Sequence, residues 1–252
     1  MSEKKELGQG AIDMCKRKAL VLMAKAPVPG LVKTRLVPTL SHEDASELSR
    51  SFLLDSVELA KCVPSCDIVL AYYPDDALGY FPIECSDLAE SIPQGEGGLG
   101  NQMQRIFEIL LEEGYHSVVI IGTDLPTLPP ALIQEAFFYL DYHSIVIGPS
   151  TDGGYYLLGL TAMIPEIFEG IDWSTSQVFG QTSERLLRQN VQPVCLHPWY
   201  DVDDRVDLDF LIARLGLLRV AGDVRLPRHT MKSLCQMELL PERKLEMRIG
   251  IG

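Results

Sequence analysis

The chain has 252 residues, 46% of them hydrophobic and 23% charged, which is the composition of one large globular domain and excludes a disordered or fibrous protein. Lys and Arg total 22 against 35 Asp and Glu, a net charge of -13, which argues against nucleic-acid and anionic-membrane partners because both need a basic surface. No apolar run reaches the roughly 20 residues of a membrane helix, and the N-terminus lacks the apolar stretch of a signal peptide. The six cysteines are too scattered for a disulfide framework, so buried reduced thiols in a cytoplasmic setting are expected.

In chain order, residues 1–18 read as a flexible polar arm, followed by a buried strand at Ala19–Ala24. A Pro- and Gly-rich loop, Lys25 to Arg35, leads to a helix over 42–61. Ser41 is its expected N-cap, and Ala45, Leu48, Phe52 and Leu59 recur at helical spacing. Asp67–Tyr72 is the next strand, and Pro74–Gly100 is irregular. An amphipathic helix over Asn101–Glu113 then ends at Gly114 in a left-handed cap. Strands follow at Ser117–Gly122, Ser144–Gly148, Tyr155–Leu160 and Val191–Leu196, with helices at Pro130–Leu140, Thr175–Asn190 and Asp204–Leu215.

Short apolar strands alternating with amphipathic helices predict an α/β sheet covered on both faces. No repeat or long linker divides the chain. The compact domain is therefore expected over 19–215, with a basic extension over 216–252. Residues 214–252 carry a net +4, leaving -17 before them. Met231, Leu234, Met237 and Met247 offer that extension an apolar face, for packing on its own core or on a second subunit in a homodimer.

In open parallel sheets, ligands bind beyond the carboxyl ends of the strands. After the first strand stand Lys25, Gly30, Lys33, Thr34 and Arg35, which form either a phosphate cradle or a solvated basic loop; the Walker A pattern is absent. After Ser117–Gly122 stands Asp124, either a ligand for a hard cation or a helix cap. After Val191–Leu196 comes Tyr200-Asp-Val-Asp203-Asp204, where the choice is again between metal ligand and N-cap. Gln94-Gly-Glu-Gly-Gly-Leu-Gly100 runs into a helix, whose N-terminus suits an anion. Asp152, beside Gly153 and Gly154, either accepts a hydrogen bond from an acceptor hydroxyl or stabilises its turn. Trp173 is either core or ligand-facing. The five histidines show no metal-ligand spacing, and no G-x-S-x-G elbow is present.

The segments K-A-P-V-P-G-L-V-K-T-R-L (25–36), G-T-D-L-P (122–126), G-P-S-T-D-G-G-Y-Y (148–156), I-D-W-S-T (171–175) and Y-D-V-D-D (200–204) carry a resemblance over roughly Ala19–Leu215. The chain resembles the glycosyltransferase-like family of the nucleotide-diphospho-sugar transferase superfamily, and more distantly the molybdenum cofactor and phospholactate guanylyltransferases. The resemblance implies a GT-A type fold, a Rossmann-like α/β/α sandwich with a mostly parallel sheet. It implies Lys25, Lys33 and Arg35 on nucleotide phosphates, Asp124 and Asp203 on Mg2+ or Mn2+, and Asp152, Gly153 and Tyr155 on the acceptor side. It also implies a nucleotide or nucleotide sugar as substrate and a small-molecule acceptor. The reaction is then glycosyl transfer, slightly favoured, or nucleotidyl transfer with release of pyrophosphate.

One motif departs. The family pattern near Q-G-x-G-D-L-G-E-R-M reads here Gln94-Gly-Glu-Gly-Gly98-Leu-Gly-Asn101-Gln102-Met103. An Asp, a Glu and an Arg are replaced, which removes a bidentate phosphate contact and a carboxylate. Either the substrate differs from that of relatives, or the chain binds nucleotide with reduced or no turnover.

Overall fold

The strands are the short apolar runs. Seven of them form one sheet in the order β3-β2-β1-β4-β6-β5-β7 in a computed structural model that describes residues 16–37, 39–223 and 225–241. They are β1 (Lys18–Lys25), β2 (Asp67–Tyr73), β3 (Glu90–Pro93), β4 (Ser117–Gly122), β5 (Ile145–Pro149), β6 (Tyr155–Leu160) and β7 (Val194–Cys195). Only β6 runs antiparallel, to both β4 and β5. The arm expected over 1–18 lies mostly outside the described residues, as does Met247; Lys18 already belongs to β1.

The helices are α1 (His42–Lys61), α2 (Leu99–Glu112), α3 (Pro130–Leu140), α4 (Val178–Arg188), α5 (Arg205–Ala221) and α6 (Arg228–Gln236). Ser41 caps α1 by accepting from the Asp44 N–H, and Gly114 ends α2 at φ 87°. No described helix is long and apolar enough to cross a membrane.

Three elements differ from expectation. β3 lies inside the region read as irregular, because a four-residue Glu-Ser-Ile-Pro edge strand carries too little apolar patterning to stand out. β7 keeps only two of the six residues expected, and Pro193 just before it has no N–H to give a ladder. α4 starts at Val178 and not at Thr175; Ser174 takes a left-handed φ of 63°, and the Thr175 hydroxyl accepts from the Gln177 N–H instead.

Both sheet faces are covered. Leu20, Leu22, Leu70 and Ile121 pack with Leu53, Val57, Ile133 and Phe137 of α1 and α3. Val21, Val69, Val118 and Ile120 pack with Ile106, Phe107, Leu110 and Leu186 of α2 and α4. A third apolar cluster joins Leu36 and Leu40 to Leu48 and Phe52 of α1, Leu208, Leu211 and Leu215 of α5, and Leu234 of α6. Each fully buried Leu contributes about 1.5–3 kcal/mol.

The boundary expected after Leu215 falls inside α5, and α6 packs on α1 of its own chain. The Asp55 carboxylate of α1 accepts from the N–H groups of His229 and Thr230 at 3.0 and 2.7 Å, and the Ser51 and Ser233 hydroxyls meet at 2.7 Å. Leu234, with Met231 and Met237 against the same cluster, faces that core. The described cysteines are free thiols. Cys85 is buried as expected, whereas Cys62 and Cys195 are exposed because one lies past the end of α1 and the other on an edge strand.

Candidate functional site

β1 sits between β2 and β4, and the chain leaves these neighbours in opposite directions across the sheet, so the loops after β1 and β4 open a crevice at their carboxyl ends. The loop after β1 folds into a short 3-10 turn, Thr34–Leu36, and the wholly buried Leu36 anchors it on the third core. Lys33 just before the turn adopts a left-handed backbone, φ 48° and ψ 36°. Its side chain turns inward and keeps only 5% of its exposure.

There the Lys33 ammonium meets three acceptors: Asp124 Oδ2 at 2.8 Å, Asp203 Oδ1 at 2.9 Å and the Val202 carbonyl at 2.6 Å. The contacts to Asp203 and Val202 are hydrogen bonds, and Asp124 closes the set as an ion pair. Phe52 lies below it, 5.8 Å from Nζ to the ring centroid. Burial alone would lower the Lys33 pKa; the charges and hydrogen bonds of Asp124 and Asp203 outweigh it and hold the pKa above the usual lysine value. Burial would likewise raise Asp203, but Lys33, then Arg35 and Lys25, hold that carboxyl below its ordinary value.

The backbone explains the meeting. The Val202 N–H donates to the Asp124 carbonyl at 3.0 Å, which ties the loop after β4 to the segment before α5. Asp204 is the N-cap of α5, completing a capping box with Asp207, so Asp203 is left to face the lysine. Asp124 caps no helix, since α3 begins after Pro129.

Three further strand-end residues gather nearby. Arg35, exposed, reaches Asp203 Oδ2 at 3.7 Å. The exposed Asp152 spends Oδ1 on the Gly154 N–H at 2.9 Å. Asp201 was not singled out from sequence. It accepts from the Ser150 hydroxyl at 3.0 Å, and burial, together with the charges of Asp152 and Asp203, pushes its carboxyl up to about 6. The alternation Asp201-Val202-Asp203, with Val202 fully buried, was the available signal: in extended backbone it sets both carboxylates on one side.

Other expected residues do structural work. Gln94 is buried and its amide donates to the carbonyls of Ala24 and Ala71, clamping the ends of β1 and β2. Gly100 lies in the first turn of α2 under the Trp173 indole, with no room for a Cβ. Trp173 stacks on Phe168 and meets Tyr155 edge-on, so both pack, partly buried, against the α2 side of the core. Gly153, at φ 94°, passes against the Ser176 backbone, and its carbonyl accepts from the Phe179 N–H at 2.9 Å. Gly30 takes φ 82° in the β1 loop, while Lys25 and Thr34 are exposed there.

In the departing motif, Gln102 is buried and its amide reaches the Gly95 carbonyl at 3.3 Å. One turn on, the Arg105 guanidinium lies directly over Gly95, so a cation does stand at this loop, three residues from its expected place. The i, i+3 relation on α2 was the signal for it.

Asp124 and Asp203 bring carboxylate oxygens within 2.9 Å of one cationic point, the donor set that a hard divalent cation takes together with phosphate oxygens. Among the described residues, Asp55, Glu58 and His229 also bring ligand atoms within 4.8 Å of one another, but both Asp55 oxygens already accept from the α6 backbone.

The fold is a seven-stranded, mostly parallel α/β sheet of the nucleotide-diphospho-sugar transferase kind. A family model described as an uncharacterized protein conserved in bacteria (DUF2064) matches residues 56–175. A crystal structure from Desulfovibrio desulfuricans G20, provisionally named a nucleotide-diphospho-sugar transferase, is similar with a TM-score of 0.72 and 30% identity, covering 84% of this chain and 97% of that one. The chain belongs to this nucleotide-diphospho-sugar transferase family. The fold alone is shared with CMP:2-keto-3-deoxy-manno-octonic acid synthetase in complex with CTP, at a TM-score of 0.51 and 8% identity over 80% of this chain and 99% of that one. It is shared equally with 4-diphosphocytidyl-2C-methyl-D-erythritol synthase from Anaerococcus prevotii DSM 20548, at a TM-score of 0.52 and 13% identity over 80% and 97%.

Proposed function

We propose that the chain is a divalent-metal-dependent transferase that takes a nucleotide sugar as donor and a small-molecule hydroxyl as acceptor. The observation that carries this reading is the convergence of Asp124 and Asp203 with the cationic loop Lys25–Arg35 at the switch point of the sheet. The 30% identity to a relative named for nucleotide-diphospho-sugar transfer supports the donor class.

Lys25 and Arg35 face the donor phosphates, and Arg105 lies at the glycine loop that leads into α2. Asp124 and Asp203 would hold the metal, which supplies charge neutralisation for the leaving diphosphate. Asp152, with one oxygen free of the Gly154 N–H, takes the proton of the acceptor hydroxyl. The acceptor oxygen bonds to the anomeric carbon, the bond from that carbon to the diphosphate breaks, and the nucleoside diphosphate leaves with the electron pair. Fixed charges placed before the reaction supply most of the rate.

The test combines calorimetry of nucleotides and nucleotide sugars, with and without Mg2+, and mass spectrometry of products. Metal-dependent binding and release of a nucleoside diphosphate support the reading. Pyrophosphate as product replaces it with nucleotidyl transfer. Nucleotide affinity without any product across the panel replaces it with a binding relative. Asp124→Ala is expected to abolish metal-dependent binding, and unchanged affinity would reject its role.

A further inference from the structure

We propose that Lys33 is a built-in occupant of the cation seat: its ammonium holds Asp124 and Asp203 together until a divalent cation displaces it, and only then is free to meet phosphate. The inference rests on the metal-dependent transferase reading and says how that site is kept closed beforehand.

The contacts of the ammonium carry it. It donates hydrogen bonds to Asp203 and the Val202 carbonyl and is ion-paired with Asp124 at 2.8 Å, so at rest it is engaged on three sides and turned away from any phosphate oxygen. The side chain is 5% exposed, while Asp124 and Asp203 remain 39% and 40% exposed. Solvent thus reaches the carboxylates and not the lysine, so an arriving cation meets the pair from the open side.

Charge balance points the same way. At rest Asp124 and Asp203 are matched by Lys33 and Arg35, while Asp152 and Asp201 beside them add negative charge and Lys25 adds positive, so the cluster holds no surplus of cations. A nucleotide diphosphate adds negative charge that this arrangement cannot offset. A divalent cation at the carboxylates replaces the ammonium there and releases one positive charge beside Arg35 and Lys25. The site then gains cations in step with the anion it binds. Lys33 holds a left-handed backbone with its side chain inward, and the Leu36 anchor fixes the loop around it.

The experiment is a titration of the full chain with Mn2+ in the absence of nucleotide, followed by electron paramagnetic resonance, for the wild type and for Lys33→Met and Lys33→Gln. Removing the competing charge is expected to tighten Mn2+ binding by at least about tenfold in either variant. Nucleotide binding, measured separately at saturating Mg2+, is expected to weaken in the same variants. A purely structural lysine would move both affinities the same way. In the wild type, the Lys33 ammonium resonance, protected from exchange by its burial, is expected to shift or vanish on saturation with Mg2+. Unchanged or weaker Mn2+ affinity in both variants, no Mn2+ binding by any of the proteins, or an unmoved ammonium signal at Mg2+ saturation would each overturn the proposal. The transferase reading fails on a different result, the absence of nucleotide or nucleotide-sugar binding, so the two failures are separable.

Discussion

The Val202 N–H donates to the Asp124 carbonyl, and the Val202 carbonyl accepts from Lys33. One buried residue thus joins the loop after β4, the segment before α5 and the loop after β1. Three segments far apart in sequence are held in register around two carboxylates and one ammonium.

The pair is expected to be a source of pH-dependent stability. Asp203 has its folded pKa held below the unfolded value, so its contribution is fully present above about pH 4 and is lost as pH falls through the folded pKa. Its side chain is 40% exposed, and solvent screening limits the effect. Asp203→Asn is therefore expected to lose about 0.5–1 kcal/mol at pH 7 and to match the wild type at strongly acidic pH. Urea unfolding across pH measures the gap; a constant gap would reject the assignment.

Arg105 is expected to take over the phosphate-facing role left by Gln102. Arg105→Ala should weaken nucleotide binding about tenfold with the melting temperature unchanged, since the residue is exposed. Calorimetry decides, and full affinity in the variant would reject the role.

Gly153→Ala is expected to destabilise by more than about 2 kcal/mol. It combines a left-handed φ of 94° with a Cβ placed on the Ser176 backbone. Thermal unfolding is the measurement, and a loss under about 0.5 kcal/mol would show that the loop relaxes freely.

Asp55→Ala removes the acceptor for two backbone N–H groups at the start of α6, a loss of about 1–3 kcal/mol. Hydrogen exchange should report it locally, with the amides of His229 and Thr230 losing protection first.

The cysteines are expected to divide by reactivity. Burial, reinforced by Asp67 for Cys66 and Glu84 for Cys85, pushes both thiols up to about 11. At pH 8 only about one in a thousand of each is thiolate, and that fraction rises tenfold per pH unit. Cys62 and Cys195 are exposed and should be alkylated first, which mass spectrometry of partly labelled protein can establish.

The sheet was largely legible because its strands are buried on both faces. Ser117–Gly122 and Tyr155–Leu160 are continuous apolar runs found where expected, as are α1, α3 and the α2 face of Met103, Ile106, Phe107 and Leu110. β3 was not, since a short edge strand owes its structure to β2, a partner remote in sequence; for α6 the apolar face of Met231, Leu234 and Met237 was legible, but not its anchorage on Asp55 and Ser51 of α1. The strand-end rule located Asp124, Asp203 and the basic loop. It did not show that Lys33 faces the carboxylates, because that depends on contacts across 170 residues. Gln94, Gly100 and Tyr155, expected at ligands, also serve the scaffold, through contacts with Ala24, Ala71 and Trp173 that no local pattern makes visible.

The third apolar cluster has a consequence for the order in which the protein is made. Leu36 is an early residue, yet it is buried by Leu208, Leu211, Leu215 and Leu234, and Asp203 and Val202 arrive with them. A ribosome that has released β1 through α4 has supplied the packing of both sheet faces but not the layer under the β1 loop. Until the segment before α5 emerges, Lys33 and Asp124 have no third partner, and until α5 and α6 follow, the third cluster under them is incomplete. The nascent chain therefore gains its core well before its site, and nucleotide affinity should appear abruptly with the release of the segment around α6.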